Sequence, residues 1–286
     1  MGEPKPMQAW WRAGGLCFGV RPCPQLTTSD AIRVRVVIAG LCRTDVAVAT
    51  GHLPCAEPCV LGHEIAGIVE AIGPGVRRLR VGQRVACRPL VDGQRLGIDR
   101  DGGFADALVV PERAVIAVPI GLDWRRAAFV EPVAACLAVR HAPLAGRIKV
   151  VGDGRIAELT RRVLLALGHR VGDAGSEADV VVETGATAAS LARAMSLACD
   201  GGLVVLKGRP PQPLSFDMAV AVQRELRFHA VGWADFAEAF ALLTELPVED
   251  LLGEIHPLAA LGDLLSTDED RKLFLAPSAE LVACAA

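Results

Sequence analysis

One stretch constrains the fold more than any other. Residues 147–185 read "RIKVVGDGRIAELTRRVLLALGHRVGDAGSEADVVVETG". An aliphatic run ends in a glycine turn, a helical pattern follows, and a second aliphatic run closes the segment. Within the helical pattern Ile156, Leu159, Val163 and Leu167 fall on one face, and Glu158, Arg161 and Arg162 fall off it. Strand, helix, strand in that order builds a parallel sheet with covering helices. The link after the helix is short. A crossover between parallel strands takes about a dozen residues or more, and "HRVGDAGSE" leaves room for a vestigial strand "HRV" but not for a further helix and strand.

The glycine turn has a physical reading of its own. Gly152 and Gly154 suit a tight turn that lets backbone approach a pyrophosphate, and Ala157 is an acceptable small third position. A helix opening at Arg155 and Ile156 aims its N-terminus at the same group. Gly152, Gly154, Arg155 and Ile156 are therefore the candidate cofactor residues of the turn. An acidic residue at the end of the second strand normally reads the adenosine ribose, and here only Asp173 stands in that place. A phosphate site is legible, and its adenosine side is cut short.

The rest of the chain frames this segment. "AIRVRVVIAG" alternates arginine and aliphatic residues at Arg33, Val34, Arg35 and Val36, as a half-buried strand does. "EIAGIVEAIG", "VGQRVAC" and "FADALVVP" are further strands between Gly and Pro turns. The first third is thus an antiparallel β region, and from about residue 125 the pattern turns helical, then alternates helix with strand. Two domains are expected, a β domain from 1–138 completed by 255–286 and a shortened α/β domain from 139–254.

Composition excludes several classes. Hydrophobic residues make up 52% and charged residues 22%, the balance of a folded globular chain. A formal charge of −3 speaks against a nucleic-acid partner, which needs clustered Lys and Arg. No apolar run is long enough to span a bilayer, and "MGEPKPMQAWW" lacks the apolar core of a signal peptide. A cytoplasmic location with free thiols for the nine cysteines follows as the expectation. There is no tyrosine, so a Tyr general acid is excluded.

Two words in the β region could carry metal chemistry. "GLCRTD" supplies Cys42, Thr44 and Asp45, and "LGHEIAG" supplies His63 and Glu64. Glu131 in "FVEPVAA" opens a helix farther on. Thiolate, imidazole and carboxylate together suit Zn²⁺, and a catalytic zinc takes three protein ligands and keeps a position open. Each residue also has a plain reading. A buried Cys is commonly a small hydrophobe, a lone His commonly structural, and a Glu beside Pro at a helix start favours the positive helix end.

These words stand in a longer order. "GLCRTD", "LGHEIAGIVEAIGPGVRRLRVGQRVAC", "DGGFADALVVP", "FVEPVAACLAV", "VVGDGRIAELTRRVLLALG", "GGLVVLKG", "RELRFHAVGWADFAEAFALL" and "RKLFLAP" together resemble the medium-chain, zinc-dependent alcohol dehydrogenase family from Met7 to Pro277. The resemblance implies an α/β chain made of a GroES-like antiparallel β domain and a shortened Rossmann-type parallel-sheet domain. It implies one catalytic zinc held by Cys42, His63 and, as in the polyol-dehydrogenase branch, Glu131. Glu64 takes the place of a glutamate that approaches the metal, Asp45 that of the carboxylate orienting the histidine, and Thr44 that of the hydroxyl that relays the substrate proton. The implied reaction is hydride transfer between a secondary alcohol, or its ketone, and NAD(H) or NADP(H). A small-molecule substrate and a homo-oligomer, dimer or tetramer, are implied as well.

The chain departs from that pattern in four places. "ACRPLVDGQRLGIDRDGG" holds only Cys87, so a structural four-cysteine zinc is not expected. Ala47 stands near the place of a relay histidine, with His52 as the other candidate. Cys55 and Cys59 are added in "LPCAEPC". The adenosine side is shortened, as above. Three functions therefore compete. They are a zinc oxidoreductase using a nicotinamide, a zinc enzyme of lyase or isomerase type that has lost dissociable NAD(P), and a non-catalytic binding protein.

Overall fold

The computed structural model describes residues 5–172 and 177–278. The chain forms two compact units, Met1–Glu131 with Leu252–Ala286, and Pro132–Leu251. The division between them falls within the helix Val130–Leu137, earlier in the chain than the 138/139 boundary expected from the sequence.

The first unit is built on a seven-stranded sheet. Its strands lie in the order Val115–Ala117, Arg84–Cys87, Glu64–Ile72, Ala31–Gly40, Lys272–Ala276 and Leu252–Pro257, and Ala107–Pro111 also pairs with Ala31–Gly40. Ala31–Gly40 follows its alternating sequence. Ile32, Val34 and Val36 are buried, while Arg33 turns outward and donates to Glu70 Oε2 at 2.7 Å. The late strand Lys272–Ala276 lies antiparallel beside Ala31–Gly40, so the end of the chain completes this unit. A second sheet pairs Leu16–Pro22, Pro6–Arg12 and Cys59–Val60. Two features differ from the sequence reading. The hairpin Pro6–Arg12/Leu16–Pro22 extends the β region toward the start of the chain. The segment after "GLC" is a helix, Arg43–Ala49, because Asp45 caps the backbone of Cys42 and begins a helical turn.

The second unit holds a four-stranded parallel sheet in the order Ile148–Val151, Ala178–Glu183, Ala198–Leu206 and Arg227–Ala230. Both faces are covered, as a parallel sheet requires. Leu191, Ala194 and Met195 of the helix Ala188–Leu197 pack with Val151, Val181 and Val204. Leu164 of the helix Arg155–Ala166 packs on the other face with Ile148, Val180, Val182 and Val205. The buried stripe of that helix is Ala157, Leu159, Thr160, Val163 and Leu164. Ile156 and Leu167 are only half-buried, so the buried face is rotated from the one read by period alone. The segment "HRV" contributes one parallel bridge, Val171 with Ile148, and is otherwise irregular. Among the described residues, no helix is long and apolar enough to cross a membrane.

Candidate functional site

The metal words meet in the first unit. Cys42 precedes the helix Arg43–Ala49 with an extended backbone, and Asp45 lies one turn into the helix. The Cys42 amide donates to Asp45 Oδ2 at 3.0 Å, and the other oxygen, Oδ1, lies 3.0 Å from His63 Nδ1. One buried carboxylate thus fixes the backbone of the thiol and the ring of the imidazole. With its Nδ1 proton committed to Asp45, His63 presents Nε2 as a lone-pair donor, the usual arrangement behind a metal-binding histidine. Burial alone would depress the His63 pKa. The Asp45 charge and hydrogen bond outweigh it and hold the imidazole well above its ordinary value.

Backbone geometry places the next residues. Gly62 has φ +94°, and a Cβ there would lie 2.8 Å from the Phe104 backbone nitrogen, so the turn into His63 requires glycine. Glu64 opens the strand Glu64–Ile72 opposite Gly40. A side chain at Gly40 would collide with Glu64 Oε2, so that glycine clears the space the carboxylate occupies.

The Cys42 thiol and the ligand atoms of His63 and Glu64 lie within 4.8 Å of one another. Among the described residues this is the one group of three or more such side chains close enough to hold a metal ion. Glu64 Oε1 takes a 2.6 Å ion pair from Lys272 Nζ, which also donates to Leu41 O at 2.9 Å. Glu64 Oε2 is buried and has no hydrogen-bond partner. Burial raises the Glu64 pKa, the Lys272 ammonium pulls it down, and Glu131 pushes it up. Glu131 is itself 4% exposed, so its carboxylate is a buried near neighbour of Glu64, though it stands outside the group of three. Asp45, Glu64 and Glu131 bring three buried carboxylates beside one lysine and one histidine. Buried charge in that proportion is costly unless a cation shares the site. An orphaned carboxylate oxygen beside a thiol and an oriented imidazole is a donor set that fits Zn²⁺.

The remaining candidates of this unit fall as follows. Thr44 is half-buried, and its hydroxyl makes no hydrogen bond among the described residues. His52 is exposed, with Nδ1 2.8 Å from Thr50 Oγ1, and Ala47 is half-buried. Cys55 and Cys59 are not in the metal group, and burial pushes the Cys59 thiol up to about 12. Cys87 is buried, with its thiol likewise pushed up to about 12. The loop after it forms a small hairpin, Leu90–Val91 with Gln94–Arg95, pinned by buried Leu96 and by Arg95 Nε to Asp99 Oδ2 at 2.8 Å.

In the second unit the glycine turn has the shape the sequence implies. Gly152 follows the strand Ile148–Val151 with φ +130°, and a Cβ there would lie 2.3 Å from Thr184 Oγ1. Gly154, at φ 79°, precedes the helix Arg155–Ala166, and Ala157 is fully buried behind the turn. Arg155 and Ile156 are half-buried at the helix start. Asp173 lies outside the described residues.

Three lysine and arginine side chains escaped the sequence reading. Lys272 pairs with Glu64 from the far end of the chain. Lys207 follows the strand Ala198–Leu206, is 5% exposed, and its ammonium has no polar partner among the described residues. Its signal was a lone cation closing the aliphatic run "LVVLKG". Arg161, which falls off the apolar face, reaches the sheet edge.

Residues 28–120 match the alcohol dehydrogenase GroES-like domain. Galactitol 1-phosphate 5-dehydrogenase of Escherichia coli K12 is 30% identical over 167 residues, covering 51% of this chain and 48% of that protein. The matched relatives include a sorbitol dehydrogenase of Halalkalibacterium halodurans, 29% identical over 54% of this chain and 51% of that protein. The chain spans about half the length of the first curated relatives it matches. An alcohol dehydrogenase of Geobacillus stearothermophilus is 26% identical over 84% of this chain and 89% of that protein. In fold, the structure of acetophenone reductase from Geotrichum candidum in complex with NAD superposes with a TM-score of 0.83 at 20% identity. That match covers 96% of this chain and 98% of that one. The matched GroES-like region holds Cys42 and His63, and the glycine turn lies in the unit built on the parallel sheet.

Proposed function

We propose that this chain is a zinc-dependent oxidoreductase that transfers hydride between a small secondary alcohol, or its ketone, and a nicotinamide cofactor. The observation that carries the reading is the buried, partnerless Glu64 Oε2 beside Cys42 and His63. Cys42, His63 and Glu131 hold the zinc, and Glu64 stands ready beside it. Bound zinc supplies Lewis-acid polarisation of an alcohol oxygen. Asp45 keeps the His63 ring in the orientation that leaves Nε2 free. The Thr44 hydroxyl accepts the alcohol proton and passes it to solvent. Gly152, Gly154, Arg155 and Ile156 hold the cofactor pyrophosphate at the helix start. Relatives named as galactitol 1-phosphate, sorbitol and L-galactonate dehydrogenases support a polyol or sugar-derived alcohol as the substrate class.

The test is reduction of NAD⁺ or NADP⁺ by the purified chain over a panel of polyols, sugar acids and sugar phosphates. Turnover that a chelator abolishes and added zinc restores is expected. One observation favours a second reading, in which the zinc site performs non-redox chemistry. Among the described residues the sheet edge beside the glycine turn carries one bridge, at Val171, and the Arg161 side chain at Val150 O and Gly152 O. Zinc-loaded protein that binds neither NADH nor NADPH would decide for that reading.

A further inference from the structure

Val151, Glu183 and Leu206 are register partners across three neighbouring strands of the parallel sheet, so Gly152, Thr184 and Lys207 form the next row. That row is tied to the one before it. The Lys207 amide bonds Glu183 O at 3.1 Å, and the Thr184 amide and hydroxyl each bond Val151 O at 2.9 Å. Strand geometry therefore runs on through Lys207, and alternation puts its side chain on the face of Leu203 and Val205. Leu164 of the helix Arg155–Ala166 packs on that same face. The helix that opens after Gly154 and the Lys207 side chain thus share one face and one end of the sheet. It is the carboxyl end, where open parallel sheets take their ligands. A Cβ at Gly152 would run into Thr184, so the backbone of the turn is kept bare for close approach.

Lys207 brings a charge to this end of the sheet without a counter-charge. It is 5% exposed, and its ammonium has no hydrogen-bond or ion-pair partner among the described residues. The acid on the next strand is turned away. Glu183 falls on the opposite face with Val181, where its Oε1 accepts from the Ala186 amide at 2.7 Å and from the Ser190 hydroxyl at 2.6 Å. An unpaired cation in so apolar a frame is costly by itself, and it sets a positive field over whatever lies at these strand ends. Its place across the sheet says which part of a ligand that is. Lys207 stands two strands from the glycine turn, about 10 Å, on the side away from the edge that Val171 bridges. In a doubly wound sheet the group that reads the adenosine ribose ends the strand beyond that edge, and the strands on the other side form the second mononucleotide half. Lys207 belongs to the nicotinamide half.

Resting on the oxidoreductase reading above, we infer that Lys207 makes the cofactor site discriminate between redox states, favouring the reduced nicotinamide over the oxidised one. The oxidised ring carries a positive charge and the reduced ring none, while the pyrophosphate is the same in both. A neighbouring ammonium opposes the first and not the second, and more strongly where water is excluded. The experiment is a calorimetric titration of the purified, zinc-loaded chain with NAD⁺, NADH, NADP⁺ and NADPH, repeated on Lys207→Met. In whichever pair binds, the methionine variant should lower the ratio of oxidised to reduced dissociation constants about tenfold, which is ~1.4 kcal/mol. Lys207→Arg keeps the charge and should hold the ratio within about threefold of the unaltered chain. A fall smaller than about threefold in the methionine variant overturns the inference and leaves the oxidoreductase reading standing. A parallel rise of both constants would then assign Lys207 to the pyrophosphate. An arginine variant with a ratio as low as that of the methionine variant also overturns it, since charge would not be the cause. Binding of none of the four cofactors to the unaltered chain overturns both readings. Lys207→Gln supplies the same comparison if the methionine variant does not fold.

Discussion

The two units differ in how tightly their candidate sites are held. In the first, the candidate metal-binding side chains support one another: Asp45 bonds both Cys42 and His63, Gly40 clears room for Glu64, and Lys272 pairs with it. In the second, the glycine turn stands beside a sheet edge where, among the described residues, Val171 makes one bridge to Ile148. The contrast has a physical cause. A buried cluster of charges tolerates no partial loss, because removing one member strands the others in a low-dielectric interior. A sheet edge is less demanding, because one side-chain donor can serve several of its carbonyls, as Arg161 Nη2 does at Val150 O and Gly152 O.

That comparison can be broken from either side. The largest effect is expected for Cys42→Ala, which should take the purified chain from near-stoichiometric zinc to almost none by metal analysis while leaving the second unit folded. Lys272→Met should follow, costing about 3–5 kcal/mol in denaturant unfolding because Glu64 is left buried without its counter-charge. Adding Glu64→Gln should recover part of that loss, and no recovery would mean that Lys272 acts through Leu41 alone. Asp45→Asn should weaken zinc binding by about 10–100-fold in a chelator competition, the usual cost of losing the group behind a metal-binding histidine.

The second unit should respond separately and less. Gly152→Ala forces a Cβ against Thr184 at a backbone angle that disfavours side chains, a strain of about 1–3 kcal/mol. It should weaken NADH binding with zinc content unchanged, and a loss of zinc in this variant would break the separation between the units. Arg161→Met should cost about 1–2 kcal/mol of stability by removing a donor shared by two carbonyls.

How much of this was legible in the sequence depends on the range of each interaction. The glycine turn and the helix after it are local patterns that spacing reveals, whereas the Cys42, Asp45, His63 and Glu64 words took their roles only from the resemblance of the longer word order to a family. The parallel order of the second unit was legible too, since strand and helix patterns alternate along 147–206. The Lys272–Glu64 pair was not, because it joins residues 208 positions apart and no spacing rule links them. Arg161 was placed off the apolar stripe by its period, with no partner assigned. Only the edge it covers gives it a task. The buried stripe of the helix Arg155–Ala166 shifted onto Thr160 and Leu164 because packing against the sheet, not period alone, decides which flank is covered.

The measurement that bears most directly on the metal centre is the zinc-edge X-ray absorption spectrum of the zinc-loaded protein. The account predicts one sulfur neighbour at about 2.3 Å, from Cys42, with nitrogen and oxygen neighbours at about 2.0–2.2 Å. A zinc shell with no sulfur, or with several, would contradict it.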